Sequence, residues 1–490
     1  MNNTHAYLAF DLGAESGRAL VGRYHSGTLS LEEILRFPNE PVLYNGELHW
    51  DVARLWHEMQ RALSLAGAQA DLRLDGIGVD TWGVDFALLG EGGTLLENPF
   101  HYRDCRTEGV MERVLQKVPA QEIFARTGIQ FMPINSLYQL VAAHSHRPKL
   151  FQIAEKLLTV PDLFNFWLTG VPVCEFTIAT TTQFYDPRQH RWSTELFEKL
   201  GLPTHILTRV VQPGSVLGPL RQDVMRHAGL PEVRVIAPAC HDTGSAVAAI
   251  ESAGHSVFIS SGTWSLLGTE VTEPVINDEA RRLNFTNEGG VANTFRLLKN
   301  IAGLWLLQCC RRDWQSKGQE HSYAELAELA RSKPAFRSLV DPDHASFLRP
   351  ANMPKTIADF CRKTEQPAPD DPPSFTRAVL ESLAMKYRLT LDSLERLTGK
   401  AYPEIHIVGG GSQNALLNQF TADATGRRVI AGPVEATALG NIAMQLVATG
   451  AASLEQARHI IAHSVPTRVF EPQEPDRWQA ALERFRGYCQ

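Results

Sequence analysis

The chain has 490 residues, 44% of them hydrophobic and 21% charged, with a formal net charge of −7. That length exceeds a single hydrophobic core and predicts about two or three domains, the composition is that of a soluble globular protein, and the mild acidity gives no footprint for nucleic acid or an anionic membrane. The start, MNNTHAYLAFDLG, lacks a basic stretch leading into a long apolar one, and no run of about 18 apolar residues follows anywhere, so neither a secretory signal nor a transmembrane helix is expected.

Strand and helix signals alternate along the chain, which predicts an α/β architecture. YLAFDL reads as a buried strand and ALVGRY as its hairpin partner. From Asp51 to about Ala66 the residues Val52, Leu55, Trp56, Met59 and Leu63 recur on one face, predicting an amphipathic helix. LDGIGVDTWGVDFALL gives two apolar runs around a turn, and 105–170 is largely helical, punctuated by Pro119, Pro133 and Pro161. The stretch from Pro203 to Pro238 reads as a connection between halves. The second half then opens like the first: VFISSGTWSLLGTE is strand, small-residue turn and strand, which hints at a duplicated fold. Residues Pro354 to Pro373, rich in charge and proline, read as a surface excursion. The seven cysteines are scattered, odd in number and without a CxxC pair, arguing for buried thiols in a reducing, cytoplasmic setting rather than disulfides or zinc.

The first candidate site is Asp11-Leu12-Gly13-Ala14-Glu15-Ser16-Gly17-Arg18, at a hairpin tip. Glycines let backbone amides converge on an anion, Ser16 adds a hydroxyl, Arg18 neutralises charge, and Asp11 at a strand end is placed to hold Mg²⁺ through water. A plain Gly-rich turn accounts for the same residues equally well. The second is Ala239-Cys240-His241-Asp242-Thr243-Gly244-Ser245-Ala246, where an apolar strand runs into a small-residue helix. Asp242 there is either a helix-capping carboxylate or a general base. Neighbouring strand side chains point to opposite faces, so a Cys240–His241 nucleophile pair is not expected. The third is Ile405-His406-Ile407-Val408-Gly409-Gly410-Gly411-Ser412-Gln413-Asn414, a strand ending in glycines that allow a flat ligand or phosphate close to the backbone. No P-loop, G-x-S-x-G elbow, H-E-x-x-H or helix-opening G-x-G-x-x-G occurs.

The order of these turns resembles the phosphate and adenosine loops of actin-like ATPases, and Ala436–Ala443 resembles the small-residue helix at which their domains pivot. More specifically, the chain resembles the FGGY carbohydrate kinases over nearly its whole length. The blocks are DLGAESGR (11–18), GVDTWGVDF (78–86), GIQFMPINSLYQL (128–140), TIATTTQ (177–183), HDTGSAV (241–247), SSGTWSLLG (260–268), NFTNEGG (284–290), LLKNIAGLWLLQ (297–308), HIVGGGSQN (406–414) and VIAGPVEATALGN (429–441). Where many members carry Lys-x-x-Trp, this chain has Leu137-Tyr138-Gln139-Leu140, which departs from the glycerol and xylulose kinase pattern and agrees with members acting on L-rhamnulose.

The resemblance implies two actin-like (ribonuclease H-like) domains, each a mixed sheet flanked by helices, divided as 1–246 and 247–490 around an interdomain active site. It implies sugar contacts from Gly83, His241, Asp242, Thr243 and Asn300, and ATP contacts from Ala14 to Arg18, Thr263, Gln308 and Gly410. The residues alone leave His241 open between ligand and core histidine, and Gln308 between ligand and the polar face of a helix. Trp82 and Asp80 suit sugar stacking and hydroxyl binding, but a buried Trp is more often core. The implied reaction is Mg²⁺- and ATP-dependent phosphorylation of L-rhamnulose at its 1-hydroxyl in L-rhamnose catabolism, with Asp242 as base. The expected partners are a small sugar and ATP, not nucleic acid or membrane, in a monomer or dimer. The alternatives are another ketose or polyol kinase (xylulose, fuculose, autoinducer-2) and a non-metabolic actin-like ATPase.

Overall fold

The apolar run YLAFDL lies in strand β1 (His5–Leu12), buried along nearly all its length, and β2 (Ser16–His25) returns antiparallel beside it, as expected. The coordinates are a computed structural model that describes residues 4–489. The chain divides into two units: residues up to Glu251 with Glu270–Leu297 and Ala436–Ser464, and Ser252–Thr269 with Leu298–Glu435 and the residues from Val465 onward.

In the first unit a six-stranded sheet runs in the order β5-β6-β4-β1-β2-β3, where β3 is Thr28–Pro38, β4 Gly76–Thr81, β5 Ser215–Pro219 and β6 Arg234–Ala237. β1, β4 and β6 are parallel, with antiparallel β2 and β3 on one side and β5 on the other. Parallel neighbours need crossover connections, and these supply the covering helices. Helix Val52–Gly67 is one, its first turn closed by the Asp51 carboxylate accepting from the Arg54 amide at 3.0 Å. Its buried face includes Val52, Leu55, Met59 and Leu63, with Trp56 packed edge-on to Trp167. Helix Ala436–Thr449 lies on the sheet close enough that a Cβ at Gly78 would stand 2.4 Å from Asn441 Oδ1. It also meets helix Asp242–Ala248 so closely that a Cβ at Gly440 would fall 1.7 Å from the Ser245 carbonyl.

The segment 203–238 is not merely a connection. It supplies β5, β6 and helix Gln222–Ala228, and β6 completes the parallel centre of the sheet. Residues 110–169 form successive helices around a separate apolar core that includes Phe86, Leu137, Leu140 and Phe197.

A second sheet has the strands β7 (Val257–Ser261), β8 (Ser265–Val271), β9 (Phe295–Ile301), β10 (Glu404–Val408), β11 (Arg428–Ala431) and β12 (Arg468–Phe470) in the order β9-β8-β7-β10-β11-β12, all in the second unit except Glu270 and Val271 of β8 and Phe295, Arg296 and Leu297 of β9. β7 and β8 form an antiparallel hairpin, β7, β10 and β11 are parallel, and β12 is antiparallel to β11. This repeats the hairpin-then-parallel order of β2-β1-β4-β6-β5, so the similarity of YLAFDLGAESGRALVGR to VFISSGTWSLLGTE reflects a duplicated sheet. The expected excursion at 354–373 is instead mostly helix, Met353–Lys363, which buries Met353, Ile357, Phe360 and Cys361. No cysteine among the described residues is in a disulfide, and no helix among them is long and apolar enough to cross a membrane.

Candidate active site

Open α/β sheets bind ligands at the carboxyl ends of their parallel strands, and in the first unit those ends carry Asp11, Asp80 and His241-Asp242. Asp11 on β1 and Asp80 on β4 are register partners. At the end of β4, Thr81 bridges in parallel to His241 and donates from its amide to the Cys240 carbonyl at 2.9 Å, which sets the Gly83 loop beside the His241-Asp242 turn.

The hairpin tip 13–15 is tight: the Gly13 amide donates to the Ser16 carbonyl at 2.9 Å, and Asn39 Nδ2 donates to the Gly13 carbonyl at 2.8 Å. Gly17 is obligatory, because a Cβ there would stand 2.2 Å from the Phe37 ring. Ala14 and Ser16 are half-buried and Glu15 is exposed. Arg18 pairs across the hairpin with Asp11, its register partner, so the guanidinium expected on phosphate meets the carboxylate expected on metal.

The His241-Asp242-Thr243 turn is held from below. The Glu175 carboxylate accepts from the Thr177 amide at 2.9 Å, the Thr177 hydroxyl at 2.5 Å and the Cys240 amide at 3.0 Å, and Thr177 Oγ1 in turn accepts from the His241 amide at 3.1 Å. Burial pushes the Glu175 pKa up to about 8 against the pull of those donors. Asp242 is the first residue of its helix, and His241 holds the cap position. The Asp242 carboxylate accepts from the Thr243 amide at 2.5 Å and lies 3.4 Å from His241 Nε2. Burial raises its pKa, His241 opposes the rise and the charge of Asp11 adds to it. The 30% of the side chain that remains exposed tempers the effect and leaves the group open to a proton donor.

Gly83 faces this turn. A Cβ there would lie 3.2 Å from His241 Nε2 and 3.4 Å from Thr181 Oγ1, so its absence opens a small space in front of the imidazole. The next residue, Val84, has φ of 67°, a left-handed conformation costly for a β-branched residue and typical of functional loops. It is held there by its amide donating to Thr181 Oγ1 at 3.3 Å and its carbonyl accepting from Ser136 Oγ at 2.5 Å. On its other nitrogen, Nδ1, His241 meets Arg296 Nη2 at 3.1 Å and Glu288 Oε2 at 3.2 Å. Sequence reading missed Val84, Thr181, Glu175, Glu288 and Arg296, although all of them fall inside the blocks or beside them (78–86, 177–183, 284–290, 297–308).

Trp82 and Asp80 take core positions. Trp82 packs on Trp50 with centroids 4.1 Å apart, and both indoles donate to Asp85 Oδ2, at 3.0 and 2.5 Å. Asp80 is fully buried and accepts from Asn441 Nδ2 at 2.6 Å. Burial first and the charge of Asp11 second push its pKa well above the usual carboxylate range.

The remaining expected residues belong to the second unit. Thr263 sits in the β7–β8 turn, where its carbonyl accepts from the Trp305 amide at 3.1 Å, so helix Trp305–Gln315, with Gln308 in its second turn, starts against that turn. Gly409 has φ of 82°, and a Cβ at Gly411 would stand 2.0 Å from Ser261 Oγ, which brings the 409–411 loop onto the end of β7. A Cβ at Gly410 would meet nothing within 4 Å, so that face is open to a ligand. Asn300, half-buried, lies near the end of β9. Thr263, Gln308 and Gly410 thus gather around the carboxyl end of β7, as Asp11 and Asp242 gather around β1 and β6.

Among the described residues no group of three His, Cys, Asp or Glu side chains is arranged to hold a metal directly. What the first unit offers is the carboxylate of Asp11 at the end of β1, with that of Asp242 near enough for their charges to act on one another. That donor set fits Mg²⁺, which keeps several waters and takes few protein ligands.

The chain matches the models of the FGGY family of carbohydrate kinases, N-terminal domain over residues 6–249 and C-terminal domain over 257–449. It is 43% identical over 483 residues to a chain named rhamnulokinase from Bacteroides thetaiotaomicron, covering 98% of this chain and 99% of that one. It is 42% identical to one of that name from Pectobacterium carotovorum, covering 99% and 96%. Among solved structures it resembles ligand-bound xylulose kinase from Lactobacillus acidophilus, with TM-score 0.81 at 17% identity covering 99% and 97%, and Plasmodium falciparum glycerol kinase with ADP, with TM-score 0.77 at 16% identity covering 98% of each. Those identities speak to the fold alone, which is the pair of mixed, helix-flanked sheets expected.

Proposed function

The chain belongs to the FGGY family of carbohydrate kinases, and from that premise we propose that it transfers the γ-phosphoryl group of ATP to the 1-hydroxyl of L-rhamnulose, giving L-rhamnulose 1-phosphate and ADP. The observation that carries the substrate is the end-to-end similarity to chains named rhamnulokinase. The reading includes a division of labour, sugar chiefly in 1–246 and nucleotide chiefly in 247–490, and a place in cytoplasmic L-rhamnose catabolism.

Phosphoryl transfer asks a protein mainly for positioning and charge stabilisation. In this reading Asp242 accepts the proton of the attacking hydroxyl, a role suited to a carboxylate whose pKa burial has raised. His241 and Thr243 hold the sugar beside it, in the space that Gly83 leaves open, and Asn300 adds a further contact. The amides and side chains of Ala14, Glu15, Ser16, Gly17 and Arg18 receive the phosphates, while Thr263, Gln308 and Gly410 receive the rest of the nucleotide. Mg²⁺, held through water by Asp11, would neutralise phosphate charge when bound.

The test is a panel of ketoses and polyols assayed by coupled ADP release, with the product phosphate located by NMR. L-Rhamnulose is expected to give the highest kcat/KM. A preference for xylulose, fuculose or autoinducer-2 would overturn the substrate and leave the family intact, and sugar-independent ADP release would favour a non-metabolic ATPase.

A further inference from the structure

The threonine-rich block 177–183 has no part in the proposed chemistry, yet both loops that carry that chemistry in the first unit are tied to it. It forms a short helix, Phe176–Ala179, that runs on into a 3₁₀ turn, Thr180–Thr182. Thr177, Thr180, Thr181 and Thr182 are all buried. The Glu175 carboxylate closes the first turn by accepting from the Thr177 and Ile178 amides, at 2.9 and 3.3 Å.

A hydroxyl has one hydrogen to give and lone pairs left to receive with. In this segment the hydrogen is committed locally. Thr177 Oγ1 donates to Glu175 Oε2 at 2.5 Å, Thr180 Oγ1 to the Thr177 carbonyl at 3.0 Å and Thr181 Oγ1 to the Ile178 carbonyl at 2.8 Å. Each of these oxygens then accepts a backbone amide from a different stretch of chain: Thr177 from His241 at 3.1 Å, Thr180 from Gly289 at 2.7 Å and Thr181 from Val84 at 3.3 Å. Thr182 differs, because it donates to the Ala179 carbonyl at 2.5 Å and accepts only from the nearby Phe184 amide at 3.4 Å. The approach is close at both loops of the site. A Cβ at Gly83 would stand 3.4 Å from Thr181 Oγ1, and one at Gly244 would stand 3.4 Å from Thr177 Oγ1. Val84 needs such a hold, since its φ of 67° is costly for a β-branched residue.

We propose that Thr177 and Thr181 are positioning residues for phosphoryl transfer, Thr177 fixing the turn that carries Asp242 and Thr181 fixing the Gly83-Val84 loop. One buried segment then sets the base against the space for the sugar. The proposal rests on the reading of Asp242 as base and of the space over Gly83 as the sugar site. Each threonine acts through a single backbone amide and touches no reacting atom. An amide deprived of its acceptor inside the protein either stays unpaired or draws its loop toward another partner, and both outcomes cost more than the bond itself. Small displacements of a base or of a sugar contact are felt strongly in rate, because transfer depends on a near-attack geometry.

Valine replaces the hydroxyl by a methyl group and serine keeps the hydroxyl, so initial rates of the whole chain with L-rhamnulose and ATP separate the roles. Thr177→Val is expected to lower kcat by about tenfold or more with KM for the sugar nearly unmoved, because a displaced base slows the step without removing a sugar contact. Thr181→Val is expected to do the reverse, raising KM by about tenfold, the scale of one misplaced hydrogen bond, with kcat nearly unmoved. Thr177→Ser and Thr181→Ser keep the accepting oxygen and should restore both constants. Thr182→Val, whose hydroxyl serves only its own turn, should lower Tm and leave both constants alone. Thr177→Ala and Thr181→Ala, which set no methyl group against the amide, repeat the measurement where a valine variant does not fold. In an Asp242→Asn background Thr177→Val should cost no further turnover, since its effect runs through that carboxylate. Variants that lose Tm without the split between kcat and KM, or a Thr177→Val loss that multiplies with that of Asp242→Asn, overturn the proposal. If the wild type phosphorylates no ketose, the assigned reaction fails instead, and amide hydrogen exchange still decides the hold on the loops. The His241 amide should lose protection in Thr177→Val and the Val84 amide in Thr181→Val, and unchanged protection overturns it.

Discussion

Asp11 and Asp80 stand opposite one another on adjacent parallel strands, β1 and β4, and Asn441 Nδ2 donates to the buried Asp80 carboxylate at 2.6 Å. The amide helps to orient Asp80 but does not offset burial and the neighbouring charge, so the pKa of Asp80 is raised well above the usual range.

A carboxyl raised in the folded state holds its proton more tightly folded than unfolded. Its stabilising contribution is therefore complete below the unfolded value of about 3.9 and is lost as pH rises through the higher folded value. Asp80→Asn removes this titration, at a constant cost of about 1–3 kcal/mol for an amide without a full set of partners. The difference in Tm, variant minus wild type, is expected to become more positive as pH rises from 5 to 9. A difference that does not move with pH would mean that Asp80 titrates normally.

Asp242→Asn tests the base. The helix Asp242–Ala248 does not depend on this carboxylate as a cap, since His241 occupies the cap position, so fold and nucleotide affinity are expected to persist. Turnover should fall by roughly 10²-fold or more, the usual scale for a general base. Near wild-type turnover in a variant of unchanged Tm would reduce Asp242 to its bond with the Thr243 amide.

Gly83→Ala tests the space before the imidazole. The new methyl would lie 3.2 Å from His241 Nε2 and 3.4 Å from Thr181 Oγ1, tight contacts that the neighbours can absorb by small shifts. The fold should survive, and KM for the sugar should rise by about tenfold with nucleotide affinity unchanged, since a single misplaced hydrogen bond is worth about that factor. An unchanged KM would place the sugar elsewhere.

How much of this was legible in the sequence depends on whether the signal was local. The β1–β2 hairpin, the helix after Asp51 and the turns at 11–18 and 241–243 declare themselves through periodicity, caps and small residues within a short window. Strand β6 does not. It is four residues long, sits among prolines and acquires its place by pairing with β4, far away in the chain. Prolines also misled at 354–373: Pro354 and Pro372 lie in the first turns of helices, where a missing N–H costs nothing, so they mark helix starts rather than a loop. Asp11, Gly83, His241 and Asp242 were readable as residue types, but not the support beneath them. Glu175, Glu288 and Arg296 read as ordinary charged positions, and their role depends on burial and partners that no local pattern encodes. Trp82 and Asp80 erred the other way, because their chemistry suits a sugar but they are spent on Asp85 and Asn441.

The last prediction concerns Asp11 and the metal. Arg18 pairs with Asp11 across the hairpin, so in the absence of ligands the cation expected on phosphate balances the carboxylate expected on Mg²⁺. Removing Asp11 would do two things at once. It deletes the carboxylate that orders the water shell of the ion, so the Mg²⁺ concentration giving half-maximal activity should rise by about tenfold or more. It also removes one carboxylate that pairs with Arg18, which strengthens the positive field at the hairpin and should leave the affinity for metal-free ATP unchanged or better, since unlike charges attract more strongly without that competing carboxylate. Titrating activity against Mg²⁺ at fixed ATP, alongside ATP binding in the presence of a chelator, separates the effects for Asp11→Ala. A raised Mg²⁺ requirement with undiminished chelated-ATP binding is the expected pair of results. An unchanged Mg²⁺ titration removes Asp11 from the metal site, and a loss of ATP binding without metal would mean that the carboxylate shapes the hairpin itself.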